Sequence, residues 1–189
     1  MRPARRIPKV TDAPATFRQQ LVGAIPRLRR YARALVFDVH VADDLVQTTL
    51  ERALTHWHQF DQRRDIVVWA ISIAHNAYMD ECRRNARMPL TDFGDGRSLS
   101  ASDSDMTASP GPDSGRRLDL VAALRQLPAE QRDPLLLVSI EQLSYAECAE
   151  ALHIPIGTVM SRIARGRVAL RELLDGRGPE TVRTLRRVI

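Results

Sequence analysis

The chain has 189 residues, 44% of them apolar and 5% aromatic, with 28 basic and 23 acidic side chains and a formal charge of +5. That length holds one ordinary domain or two small ones, and a domain well under about 100 residues has a marginal core that leans on its neighbours. No apolar run approaches the roughly 20 residues of a membrane-spanning helix, and the basic start, with Arg2, Arg5, Arg6 and Lys9, has no apolar segment behind it, so a cytoplasmic chain without membrane insertion is expected.

Apolar residues recur at three-to-four spacing almost everywhere, with no alternating pattern bounded by hairpin turns, which predicts an all-α protein. In the first half the pattern predicts helices near 15–36, 42–58 and 65–87. Pro26 is expected to kink or restart the first, and Asp43 and Asp44 to open the second, where carboxylates suit the positive end of a helix dipole. Residues 91–115, rich in Ser, Asp, Gly and Pro, offer almost nothing to bury and read as a flexible acidic linker. Helices near 117–126, 129–140, 145–152 and 156–174 follow. Residues 1–90 carry 15 basic and 9 acidic groups, 91–115 carry 1 and 5, and 116–189 carry 12 and 9. Two basic segments, 1–90 and 116–189, therefore flank an acidic spacer, with modules expected over 15–90 and 116–175. In the tail, Val182, Leu185, Val188 and Ile189 recur at helix-like spacing between arginines, as fits either an extra docking helix or a frayed end.

The second module carries the sharpest local signal. Ser144-Tyr-Ala-Glu147 is a capping box that starts a helix. His153-Ile-Pro155 breaks that helix, and Ile156-Gly-Thr158 starts another, at helix-turn-helix spacing. Along the last helix Val159, Ile163, Gly166, Leu170 and Leu173 form one buried stripe. Thr158, Met160, Ser161, Ala164 and Arg165 are left to face base edges in a major groove, and Arg162 and Arg167 flank them toward phosphates. A basic amphipathic helix that is solvated, or packed on another protein, shares this pattern.

The motifs together resemble the extracytoplasmic-function (ECF) family of RNA polymerase sigma factors, in the sigma-70 superfamily. Leu127-Pro-Ala-Glu-Gln-Arg132, Leu143-Ser-Tyr-Ala-Glu147 and Pro155-Ile-Gly-Thr-Val-Met-Ser-Arg-Ile-Ala-Arg-Gly-Arg167 are similar to sigma region 4. Arg27-Leu-Arg-Arg-Tyr-Ala-Arg-Ala-Leu35, Ala42-Asp-Asp-Leu-Val-Gln-Thr-Thr-Leu50 and Trp69-Ala-Ile-Ser-Ile-Ala-His-Asn76 are similar to region 2. The resemblance implies a subunit that directs promoter-specific initiation and is not an enzyme, with region 2 melting the -10 element and region 4 reading the -35 element. It implies that Asp43, Asp44, Gln47, Thr48 and Glu51 grip core RNA polymerase. Promoter DNA of the -10 element then meets Phe60, Arg63, Arg64, Trp69, Asn76, Arg83 and Arg84, where an amide and an aromatic ring suit an unpaired base and arginines suit phosphates. Trp69 also reads as a core residue. An anti-sigma factor is a further implied partner. The loop before Trp69 departs from the family in lacking a Gly and a second Phe, and Met160 stands where many members have a basic or polar residue.

Other chemistries find little support. His56 and His58 are alternate residues, about 200 degrees apart on a helix, with no third ligand in reach, so no metal is expected. Cys82 and Cys148 fit no disulfide or zinc pattern and read as half-buried thiols. No phosphate-binding loop, nucleophile elbow or paired catalytic carboxylates stands out, so neither an enzyme nor a cofactor is expected. The rival reading is a helix-turn-helix transcriptional regulator acting without sigma activity, its first module a sensor or dimerisation domain.

Overall fold

A computed structural model describes residues 13–87 and 114–175, arranged as seven α-helices and the turns between them. The expected linker, except its last two residues, and the tail beyond Asp175 lie outside those residues.

Helix α1 (Ala15–Val36) buries Phe17, Leu21, Ala24, Leu28, Tyr31, Ala32 and Leu35, a single stripe at helical spacing. Of the kink or restart expected at Pro26, the restart does not occur: the residue lies inside one continuous helix. That ring lies on the exposed face, where water can take the carbonyl it leaves unbonded. The chain reverses at Phe37, whose φ of 57° is left-handed. Asp38 then caps α2 (Val39–Thr55), its Oδ1 accepting the Val41 N–H at 3.0 Å. The start expected at Asp43 is thus displaced by a turn, because the capping carboxylate precedes the helix and Asp43 and Asp44 already lie within it. A single 3₁₀ turn (Trp57–Gln59) and a short loop lead to α3 (Ile66–Arg87), where Asp65 Oδ1 accepts the Val67 N–H at 2.7 Å. The three helices pack pairwise into one small bundle.

The second bundle comprises α4 (Ser114–Gln126), α5 (Ala129–Ser139), α6 (Tyr145–Leu152) and α7 (Ile156–Leu174). Val159 and Ile163 of α7 close over Leu135, Leu137, Cys148 and Ala151. Gly166 continues that stripe at a close approach: a Cβ there would stand 3.1 Å from the Gln131 carbonyl oxygen, so a larger residue would push α7 and α5 apart by a few tenths of an ångström. The cysteines are not both half-buried as expected. Cys148 fills the core, where burial pushes its thiol up to about 12, and Cys82 is exposed.

The bundles do not stand apart. Helix α3 packs on α6 and α1 on α5, and the buried residues of both join in one contiguous apolar cluster. The neighbour on which each marginal bundle leans is the other. Among the described residues no helix is long and apolar enough to cross a membrane.

Candidate polymerase and nucleic-acid interfaces

Helix α2 turns Ala42, Leu45, Val46, Thr49 and Ala53 inward. The face left to solvent carries Asp44, Gln47 and Glu51, with Thr48 half-buried beside them. Gln47 Nε2 donates to Glu51 Oε1 at 3.1 Å, as fits neighbours one turn apart. Asp43 is drawn toward α1 by Arg29, 3.4 Å away, and is less free than the rest of the stripe.

On the first bundle a cleft of about 230 Å³ opens between the end of α2 and α3, lined by Arg52, His56, Gln59, Trp69, Ile73 and Asn76. The seven-residue spacing of Trp69 and Asn76 brings both to it. Trp69 serves two roles, since its ring also packs on Phe60 and Phe17 with centroids 5.2 and 5.9 Å away. Phe60 is held inside this aromatic cluster, 5.7 Å from Phe17, instead of standing free. Arg63 is exposed, Arg64 bonds Glu150 of α6 at 2.7 Å, and Arg83 and Arg84 lie exposed farther along α3, Arg84 beside Glu81. Arg52, His56 and Gln59 escape sequence reasoning because the end of α2 and the 3₁₀ turn meet α3 only in the folded bundle.

The capping box forms as expected. Ser144 Oγ accepts the Glu147 N–H at 3.2 Å, and Glu147 Oε2 accepts the Ser144 N–H at 2.8 Å and its hydroxyl at 2.7 Å. Those bonds hold the Glu147 carboxyl below its ordinary range. His153, left-handed at φ 54°, ends α6, and Pro155 precedes α7. Met160, Ser161, Ala164, Arg165 and Arg167 are exposed, while Thr158 and Arg162 are partly covered. Arg162 reaches Glu130 of α5 at 3.4 Å.

A further set of polar residues lies between the bundles. Tyr31 of α1 is fully buried and its hydroxyl lies 3.3 Å from His75 Nδ1. Asp133 Oδ2 is 3.8 Å from the same nitrogen. Burial lowers His75 to about 4 and raises Asp133 to about 6, the latter against the opposing pull of Arg132. The imidazole is therefore neutral near pH 7, and its tautomer sets which of Nδ1 and the Tyr31 hydroxyl donates. Arg132 donates to the Tyr78 hydroxyl at 3.3 Å, and Arg132 and Arg125 both lie over the Phe37 ring, 5.4 and 5.3 Å from its centroid. None of these pairings was legible beforehand, because each joins positions far apart in the chain.

Comparison with known proteins agrees with this division. Residues 117–170 match the family described as sigma-70, region 4, and residues 21–75 match the Sigma2 domain of PhyR. The ECF RNA polymerase sigma factor EcfG of Rhodopseudomonas palustris is 33% identical over 166 residues, spanning 87% of this chain and 88% of the relative. SigC of Mycobacterium tuberculosis, also an ECF sigma factor, is 34% identical over 137 residues, 72% of each chain. Among solved structures, the sigma factor RpoE of Bartonella quintana, determined in complex with the anti-sigma factor NepR, superposes with a TM-score of 0.66 at 29% identity, covering 85% of this chain and 97% of that one. The two helical bundles are thus sigma regions 2 and 4. The chain belongs to the ECF family of RNA polymerase sigma factors, within the sigma-70 superfamily, and is not an enzyme.

Proposed function

We propose that the chain docks on core RNA polymerase through the α2 stripe of Asp44, Gln47, Thr48 and Glu51, with Asp43 at its margin, and directs initiation through two separate DNA surfaces. Module 15–90 takes the opened -10 element and module 116–175 reads the -35 element. The observation that carries this reading is the cleft, where Trp69 offers a ring edge and Asn76 an amide to one concavity of about 230 Å³, space for an unstacked base. Arg63, Arg64, Arg83 and Arg84 border the same module with charge suited to phosphates, and Phe60 backs the Trp69 ring. On α7, Thr158, Met160, Ser161, Ala164 and Arg165 meet base edges, with Arg162 and Arg167 toward the backbone. Met160 can touch a thymine methyl but cannot pair with guanine, whereas Arg165 can bond guanine O6 and N7. The work of the chain is done in the cytoplasm, and an anti-sigma factor restrains it, as the NepR complex of the Bartonella relative suggests.

The test is transcription with purified core polymerase over a promoter library at two salt concentrations. A sigma factor confers initiation on an otherwise inactive core, which a helix-turn-helix regulator cannot do. Arg165→Ala should relax preference at particular -35 positions by about 1 to 3 kcal/mol. Arg83→Ala should weaken all promoters alike and reduce the salt dependence. If Arg83→Ala instead altered the preferred -35 sequence, the modules would be assigned to the wrong elements.

A further inference from the structure

Two carboxylates are enclosed where the bundles meet, and they are served differently. The Glu141 side chain has no exposure, and both of its oxygens are bonded from α1. Arg27 Nε reaches Oε2 at 3.2 Å, Arg30 Nε reaches Oε1 at 2.8 Å, and Arg30 Nη2 reaches Oε2 at 2.9 Å. Asp133 is nearly as enclosed, its side chain 5% exposed, yet its Oδ1 finds no hydrogen bond among the described residues. Arg132 Nε stands 3.5 Å from that oxygen and is itself without a partner, the rest of its guanidinium being turned to Tyr78 and Phe37. A buried carboxylate oxygen left in this way costs free energy that one more donor would recover.

At Asp133 a cavity of about 170 Å³ opens between α3, α5, α6 and α7. His75, Met79 and Leu152 line it with Asp133, and so do Glu130 and Arg162, which pair with one another at 3.4 Å. At about 30 Å³ for each water-sized group, the space admits about five or six heavy atoms. Its charges do not balance, since Asp133 and Glu130 face only Arg162 and the His75 ring is neutral near pH 7. Burial holds the Asp133 carboxyl at about 6 against the pull of Arg132 and Arg162, so the two arginines leave its charge under-stabilised.

We propose that this cavity is a binding site for one small organic cation, a primary ammonium or guanidinium group that donates to Asp133 and rests its carbon on Met79 and Leu152. A charge-assisted N–H···O bond to the free oxygen gives direction, and the apolar part of the wall excludes competing water. A metal ion suits the cavity poorly, because among the described residues no three His, Cys, Asp or Glu side chains are grouped to hold one. The site shares only Arg162 with the surfaces proposed above. A free amine and the end of a lysine or arginine from a partner protein present the same chemistry, and the choice of probe separates them.

The test titrates the full chain with methylguanidinium chloride and with methylammonium chloride. Tetramethylammonium chloride, which has the charge but no N–H, is the control at matched ionic strength. Thermal midpoint and amide chemical shifts should report saturable binding of the first two, in the millimolar range. Asp133→Asn should weaken that binding about tenfold or more, because a hydrogen bond to a charged acceptor is lost. Glu130→Gln, a change at an exposed side chain, should weaken it severalfold and carries the test if Asp133→Asn alters the fold. Nα-acetylarginine amide then separates the sources: binding at least as tight as that of methylguanidinium assigns the site to a side chain of a partner protein, and weaker binding assigns it to a free cation. No saturable shift, an equal shift from tetramethylammonium, or undiminished binding by the variants that fold would overturn the site.

Discussion

Two sets of carboxylates in this chain meet opposite fates. Asp44 and Glu51 of α2 face solvent, whereas Asp133 and Glu141 of the second module are only 3% and 2% exposed. Nothing in their local sequence separates them, since each lies on or beside an amphipathic helix. The difference is made by the first bundle, whose α1 and α3 close over Asp133 and Glu141 and leave the α2 stripe uncovered. A carboxylate left in water at no structural cost is available to a partner. One enclosed and hydrogen-bonded is committed to the fold, and removing its cations is costly.

The largest effect expected from this contrast is in pH dependence. His75 faces Tyr31, Asp133 and the more distant charge of His153, and Asp133 faces Arg132 and His75. His75, lowered from 6.5 to about 4, is held neutral, so its contribution to stability is present above 6.5 and is lost as pH falls toward 4. Asp133, raised from 3.8 to about 6, behaves oppositely: its ionised form is penalised at neutral pH, and stability returns as pH falls through 6. The two contributions, each on the order of a few kcal/mol, oppose one another. Replacing one group should expose the other. Relative to the unaltered chain, Asp133→Asn should lower the thermal midpoint by several degrees between pH 7 and 4.5, and His75→Gln should raise it. Parallel midpoint curves for all three proteins would show that these groups are not buried together.

The exposed set gives the next largest effect. Asp44→Arg should weaken core-polymerase binding by on the order of tenfold or more, while the unfolding free energy changes by no more than about 0.5 kcal/mol. Gln47→Ala should weaken binding less. Polymerase titration beside thermal unfolding separates the two quantities. Normal holoenzyme assembly by Asp44→Arg would remove the stripe from the interface.

The contrast also marks what the sequence could reveal. Helix positions were legible because burial follows a three-to-four period that any reader of Phe17 to Leu35 or Val159 to Gly166 can count. The Trp69 and Asn76 pairing was legible for the same reason, as both lie on one helix. The start of α2 was misread because Asp38 follows a left-handed residue, Phe37, which no periodicity reports. The partners of Glu141 lie 111 and 114 positions away, so its burial is a property of tertiary packing alone.

Glu147 sharpens the comparison because it belongs to neither set. It is partly covered, between the exposed α2 pair and the enclosed pair, yet both its bonds are internal, to the backbone N–H and the hydroxyl of Ser144. If exposure alone decided the role of a carboxylate, Glu147→Gln would leave stability untouched. If internal bonding decides, the change should cost a few tenths of a kcal/mol, and Ser144→Ala, which also removes the acceptor for the Glu147 N–H, about 1 kcal/mol. The carboxyl is held below 4.5, so its contribution is complete above that value and is lost as pH falls through the lowered value. Glu147→Gln should therefore differ from the unaltered chain near neutral pH and converge with it in acid. Chemical denaturation at pH 7 and pH 3.5 reads this directly. A constant offset between the two proteins at both values would mean that the box is held by shape and not by the charge of Glu147, leaving exposure as the better guide.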